Sequence, residues 1–452
     1  MNVLSVANSS ARRRLAASHA IALLAPARQF GTSSPALAKA AAKKAPASQG
    51  KKSARFKNSG SGEGKKRGAL TPLSGKFDHP LFKDRPGPSN LPAFHPETFT
   101  PDSVGKAVGF PADKSSAINA FGVPKGIAKE LVHLERPFSI IRGVSLETFD
   151  TLDKAATQSS ANSRFVLTGK SGSGKSHVLL QAVNYCATNN WIVLYVPRAI
   201  EWMNSSSAYV YDTDTKTFLQ PNIASDVLRQ LATVNASSLQ SLVIDSDVSF
   251  DKAGTITAGS NIDQLAHLGI KDASIAPKVL RILLEELGKQ TKYPVLLAID
   301  DVQALYCTSK YRDPQFNYIK GFNLSMPRLM LEYAGGMKSF ARGAVLGALS
   351  TADTTFRIPL PLTEALQLTP DRPVSAYEKR SADLALYSKG LRPIPIPERL
   401  EVNEAASLFE VWNENKALHT VSTDQFFLST YSQTSGNPRQ FVLRGLLSTL
   451  AS

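Results

Sequence analysis

Gly169, Gly174, Lys175 and Ser176 stand at the spacing G-x-x-x-x-G-K-[ST], with a further glycine at Gly172. Residues at that spacing can hold a chain of phosphates. The glycines let the backbone turn tightly, so that successive N–H groups face one anion. Lys170, Ser171 and Ser173 complete the loop, and His177 follows it. Lys175 would reach the β- and γ-phosphates, and the Ser176 hydroxyl would ligate Mg²⁺. The apolar run Phe165-Val166-Leu167-Thr168 leads into the loop. A helix, His177 to about Tyr185, leaves it with its positive end toward the phosphates.

A magnesium ion in such a site needs an acid. Residues 295–301 read VLLAIDD, a buried strand ending in two carboxylates. Asp300 takes the place that holds the metal's water shell. Asp301 stands where a water-polarising glutamate would serve hydrolysis. It is one methylene shorter, where about 1 Å matters, so it is a weak candidate for a catalytic base. A rival acidic strand end, Leu242 to Asp245, ranks lower because the next strand after Asp300 ends in Ser350-Thr351. Ser350 is thus placed as a sensor of the γ-phosphate. Arg439, after Gly436-Asn437-Pro438, either touches the γ-phosphate or is a solvated loop cation. Residues 136–141 could pack against the base. No N-K-x-D guanine motif is well placed, since residues 415–418 read NKAL, so the residues alone leave GTP and ATP both open.

The elements that position these groups alternate. Runs at 165–168, 191–196, 295–299 and 344–349 are apolar on both faces, as in strands buried inside a parallel sheet. A run at 242–244 is a weaker fifth strand. Helical periodicity marks 145–157, 222–234 and 277–289 between them. Together these predict an α/β fold, a parallel sheet flanked by helices. Residues 353–400 read as a proline-rich, poorly periodic connection. From Asn403, helical patterns (403–412, 423–431 and 438–450) predict a small α-helical lid domain. The division expected is 1–30 leader, 31–125 arm, 126–370 α/β domain, and 371–452 connection and lid.

The chain has 452 residues and a net charge of +15. Residues 1–67 hold fourteen Lys or Arg against one acid, Glu63, so +13 of that charge sits on the N-terminal arm. A basic tail that could touch RNA is implied, and a basic groove along the whole body is not. Residues 1–30 lack acids and are rich in Ala, Ser and Arg, the composition of a mitochondrial transit peptide. A disordered basic tail is the alternative. Residues 71–125 interleave prolines with Phe77, Phe82, Phe94 and Phe99, the pattern of an extended segment lying along another surface. Nothing is long and apolar enough to span a bilayer. Cys186 and Cys307 stand apart from any Cys/His cluster and read as ordinary buried thiols.

The phosphate loop, acidic strand, sensor-like strand and helical lid resemble AAA+ and related ATPases. GKSGSGKS at 169–176, WIVLYVPRA at 191–199 and VLLAIDDVQAL at 295–305 narrow this. Over roughly residues 125–450 the chain resembles the mitochondrial small-subunit ribosomal GTP-binding family, known in animals as death-associated protein three. The resemblance implies an AAA+-like P-loop NTPase fold and a place in the head of the mitoribosomal small subunit, in the matrix. It implies GTP or GDP, with ATP as the alternative, bound with Mg²⁺. The implied partners are small-subunit rRNA and neighbouring ribosomal proteins, with contacts to the large subunit. It carries phosphate and metal roles to Gly169, Lys175, Ser176 and Asp300. The competing expectation is an active mitochondrial AAA+ ATPase with Asp301 as its acid.

Overall fold

The computed structural model describes residues 91–451, except 135, 251–253, 371, 372 and 376. The leader expected at 1–30 and most of the arm at 31–125 lie outside these residues.

Five strands form one wholly parallel sheet. They are β3 (Arg164–Thr168), β4 (Ile192–Val196), β5 (Val295–Ile299), β6 (Gly343–Ala348) and β7 (Arg392–Pro395), in the order β7-β3-β6-β5-β4. An antiparallel pair, β1 (Ala107–Gly109) and β2 (Phe138–Ile140), precedes them. Every residue of β4, β5 and β6 is buried, which is why these strands read as continuous apolar runs rather than alternating ones. Leu346 pairs with both Phe165 and Ala298, and Val196 with Ile299. This register brings the carboxyl ends of β3, β4, β5 and β6 to one edge, where a parallel sheet offers its ligand crevice.

The helices flanking the sheet include α1 (Lys125–Leu131), α2 (Gly143–Ala155), α3 (Lys175–Thr188), α4 (Pro221–Val234) and α5 (Ala276–Lys289). Their apolar stripes enter the same core as the strands: Leu179, Leu180 and Val183 from α3, and Leu280, Leu283 and Leu287 from α5. Further on, α6 (Val402–Glu414) and α7 (Asp424–Gln433) join the last turns in a second cluster. Trp412, Phe441 and Leu446 are buried there with Leu134, Phe138 and Ile140.

Three local expectations change. The run 242–244 is no strand; Val243 makes a single bridge to Asn261. The fifth strand is instead β7, inside the segment expected to be an irregular connection. Its prolines, Pro393 and Pro395, are tolerated because it pairs on one side only, with β3 at the sheet edge. The last helix is broken into a short α-turn at Pro438–Gln440, a π-helical stretch at Phe441–Leu446 and a 3₁₀ stretch at Leu447–Ala451. Within the arm, Phe94 packs on Phe99 and Phe149 with ring centroids 4.7 and 6.5 Å apart, so this part lies along the chain's own core. Among the described residues, no helix is long and apolar enough to cross a membrane.

Candidate nucleotide-binding site

The glycine-rich loop expected to cradle phosphates leaves β3 and becomes the first turn of α3. Gly174 precedes the helix with φ 95°, and Gly172 has φ 80°, both in the left-handed region where side chains are strained. At Gly172 a Cβ would also lie 2.6 Å from Asn437 Oδ1 and 2.9 Å from Arg439 Cβ. The glycine is therefore needed for the turn and for the approach of the C-terminal segment. Asn437 Nδ2 donates to the Ser171 carbonyl at 3.1 Å, and Arg439 N–H to the Gly172 carbonyl at 3.2 Å.

Lys175 is buried and arches back over the loop. Its Nζ donates to the carbonyls of Gly169 and Lys170 at 2.8 and 2.7 Å. Burial lowers its pKa to about 8, against the pull of Asp300. A cation held this way can exchange carbonyl partners for phosphate oxygens without leaving the loop. The first N–H groups of α3 lack carbonyls behind them, as at any helix start, and present positive ends to the same spot. Ser173 Oγ is buried with no hydrogen-bond partner among the described residues.

Asp300, fully buried at the end of β5, accepts the Asp301 N–H at 2.9 Å, and the nearby Ser176 hydroxyl favours its charged form. Burial and then the neighbouring Asp301 raise its pKa well above the carboxylate range. A divalent cation would offset that penalty, so Asp300 and Ser176 are the residues that could hold one. Asp301 adopts left-handed φ 55°, ψ 36°. Its carboxyl is also raised by burial, with the Ser350 hydroxyl and the Arg198 cation opposing that rise. Gln303, fully buried, grips the Ser350 backbone from both sides, donating to its carbonyl at 2.6 Å and accepting its N–H at 3.0 Å. Because β6 lies between β3 and β5, Ser350 stands between the loop and the acids.

Ser171 to His177, Asp300, Asp301, Ser350, Thr351 and Arg439 line one cavity of about 450 Å³, within the size range of nucleotide-sized pockets. Gly169 and Lys170 do not line it; their carbonyls hold Lys175, and the exposed Lys170 side chain pairs with Glu398 at 2.9 Å. Phe138, Ser139 and Ile140, from the segment expected near the base, line it as well. Asp245 does not; its N–H points to Glu286 at 3.3 Å. Cys307, expected to be buried, is only half-buried.

Sequence reasoning missed Arg142. Buried just before α2, it donates Nε to Glu404 Oε2 at 3.1 Å and a guanidinium N–H to the Ser173 carbonyl at 2.8 Å. It also reaches the carbonyls of Pro397 and Arg399 at 3.3 and 2.9 Å. One side chain thus ties the phosphate loop, the segment after β7 and the start of α6. Its partners lie up to 262 residues away, and no local pattern announces them.

A family described as mitochondrial ribosomal death-associated protein 3 matches residues 139–444, more than half of the chain, which takes in the glycine-rich loop, Asp300, Asp301, Ser350 and Arg439. The chain belongs to this family. Relatives named small ribosomal subunit protein mS29 include one from Schizosaccharomyces pombe. It is 28% identical over 356 residues, covering 77% of this chain and 72% of the relative. One from Neurospora crassa is 26% identical, covering 74% and 73%. One from Mus musculus is 24% identical, covering 60% and 72%. Family membership agrees with the matrix location expected from the N-terminal composition.

Proposed function

We propose that this chain is a structural constituent of the small subunit of the mitochondrial ribosome. In this reading it holds a purine nucleotide, GTP or GDP in preference to ATP, with Mg²⁺ as a structural or regulatory ligand, on an AAA+-like P-loop fold. The ribosomal part rests on the family and on relatives named as small-subunit proteins. The observation that carries the nucleotide part is the convergence on one cavity of Lys175, Ser176, Asp300, Ser350 and Arg439.

The residues fit the ligand. Lys175 and the first N–H groups of α3 would hold the phosphates, and the orphaned Ser173 Oγ lies buried within the same loop. Ser176 and Asp300 would hold Mg²⁺, Asp300 through water. When bound, the magnesium nucleotide supplies a cation that offsets the buried carboxylates and an anion that offsets Lys175. Asp301 has the Ser350 hydroxyl and the Arg198 cation acting on its carboxyl, which favours a held ligand over rapid turnover. Such a ligand stabilises the folded chain by about 4 kcal/mol at a thousandfold excess over its Kd. The partners are small-subunit rRNA and neighbouring ribosomal proteins, with large-subunit contacts, and the basic arm would meet rRNA phosphates through sequence-independent attraction.

The test is to purify the full chain, denature it and identify released nucleotide by chromatography, with and without prior EDTA. The reading expects guanine nucleotide that EDTA depletes. Purified chain that carries none, and takes up none from millimolar GTP or ATP, overturns the nucleotide part.

A further inference from the structure

The cavity has two kinds of wall. Toward the sheet edge it is charged, with the loop, Arg198, and the carboxylates Asp300, Asp301 and Asp353. Away from the edge, α1, β2 and the C-terminal helices supply apolar side chains, among them Leu131, Leu134, Phe138, Leu408 and Trp412. One carboxylate, Glu130, stands on that apolar side. Its Oε2 lies 3.4 Å from His177 Nε2, and His177 directly follows Ser176, so Glu130 sits just past the end of the phosphate loop. Its side chain is only 17% exposed, and among the described residues His177 is its one polar side-chain contact.

Of the other large polar groups on that side, Lys125 and Lys129 of α1 are exposed to solvent, whereas Arg142 and Gln181 are engaged. Arg142 has its four acceptors. Gln181 accepts from Ser145 and donates to Ser139 Oγ and the Ile140 carbonyl. A mostly buried carboxylate beside apolar groups requires donors, and it can only accept. Guanine presents two donors side by side, its N1–H and its 2-amino group. The same edge of adenine presents the bare N1 acceptor. We infer that Glu130 reads the base, accepting from N1–H and the 2-amino group, so that the site takes guanine nucleotides without an N-K-x-D motif. This inference rests on the nucleotide reading above.

The experiment is calorimetric titration of the full-length chain, in Mg²⁺, with GTP, inosine triphosphate (which lacks the 2-amino group), 2′-deoxy-GTP and ATP. Wild type should bind GTP about 10- to 100-fold more tightly than ATP, the range of a bidentate base contact, and more tightly than inosine triphosphate. Glu130→Gln should erase the preference while leaving ATP affinity within a few-fold. The inosine comparison uses wild type alone, so a variant that fails to fold leaves the test intact. Equal affinity for GTP and inosine triphosphate, or a preference unchanged in Glu130→Gln, overturns the assignment while the nucleotide reading stands. Loss of affinity for 2′-deoxy-GTP with inosine triphosphate unaffected moves Glu130 to the ribose and overturns it too. Failure of wild type to bind any of the four overturns the nucleotide reading itself.

Discussion

Replacing Arg142 by methionine should both destabilise the fold and loosen the phosphate loop, by separable amounts. Arg142 and Glu404 are nearly inaccessible, with side chains 8% and 4% exposed, and their ion pair spans 3.1 Å. Burial already raises the Glu404 pKa, and Arg142 is the first influence opposing that. Removing the guanidinium leaves a buried carboxylate uncompensated, a change that costs about 3–5 kcal/mol. At about 2 °C per kcal/mol for a large domain, the melting temperature should fall by roughly 6–10 °C. Adding Glu404→Gln removes the stranded charge, so the double variant should recover part of the loss. Nucleotide affinity should not recover with it, because the Ser173 carbonyl has still lost its donor at 2.8 Å. Differential scanning fluorimetry gives the first quantity and GTP titration the second. A single variant that melts within about 2 °C of wild type, or a double variant no more stable than the single, would refute the reasoning.

Two further outcomes follow from the same geometry. Gly172→Ala places a side chain at φ 80°, 2.6 Å from Asn437 Oδ1, so it should cost about 1–3 kcal/mol and speed proteolysis after α7; unchanged melting and cleavage would count against the docked C-terminal segment. Burial raises the pKa values of Asp300 and Asp301, so the folded chain binds protons that the unfolded chain has released. Their stabilising contribution is complete below the ordinary carboxylate value near 4 and is lost as pH rises toward neutrality. Lys175, lowered to about 8, acts in the opposite sense only above that pH. In EDTA the melting temperature should therefore fall between pH 5 and pH 8, and Asp300→Asn should flatten the slope; a rising slope, or one indifferent to Asp300→Asn, contradicts the assignment.

What was legible in the sequence was local. The loop at 169–176 carries its chemistry in consecutive residues, and β3, β4, β5 and β6 announce themselves as doubly buried apolar runs. Asp300 could be placed because it ends such a run. The edge strand β7 was hidden by its own sequence, Arg392-Pro393-Ile394-Pro395, whose prolines suit a strand only where one side is unpaired. Arg142 and Glu404 carry no motif, and neither position predicts the other across 262 residues. Glu130 gains meaning only when α1 is folded against His177. The run at 242–244 misled because three apolar residues fit a single bridge as well as a strand.

The central claim is a ribosomal component whose bound nucleotide supports its place in the particle. The direct test is to sediment gentle mitochondrial lysates containing wild type or Lys175→Ala on a sucrose gradient and blot for this chain. The account predicts that wild type travels with the small subunit and with whole mitoribosomes through moderate salt. It predicts that Lys175→Ala shifts substantially to the free fractions. Wild type running as a free monomer or a ring-sized assembly would contradict the ribosomal reading. Lys175→Ala co-sedimenting as fully as wild type would contradict the role given to the nucleotide.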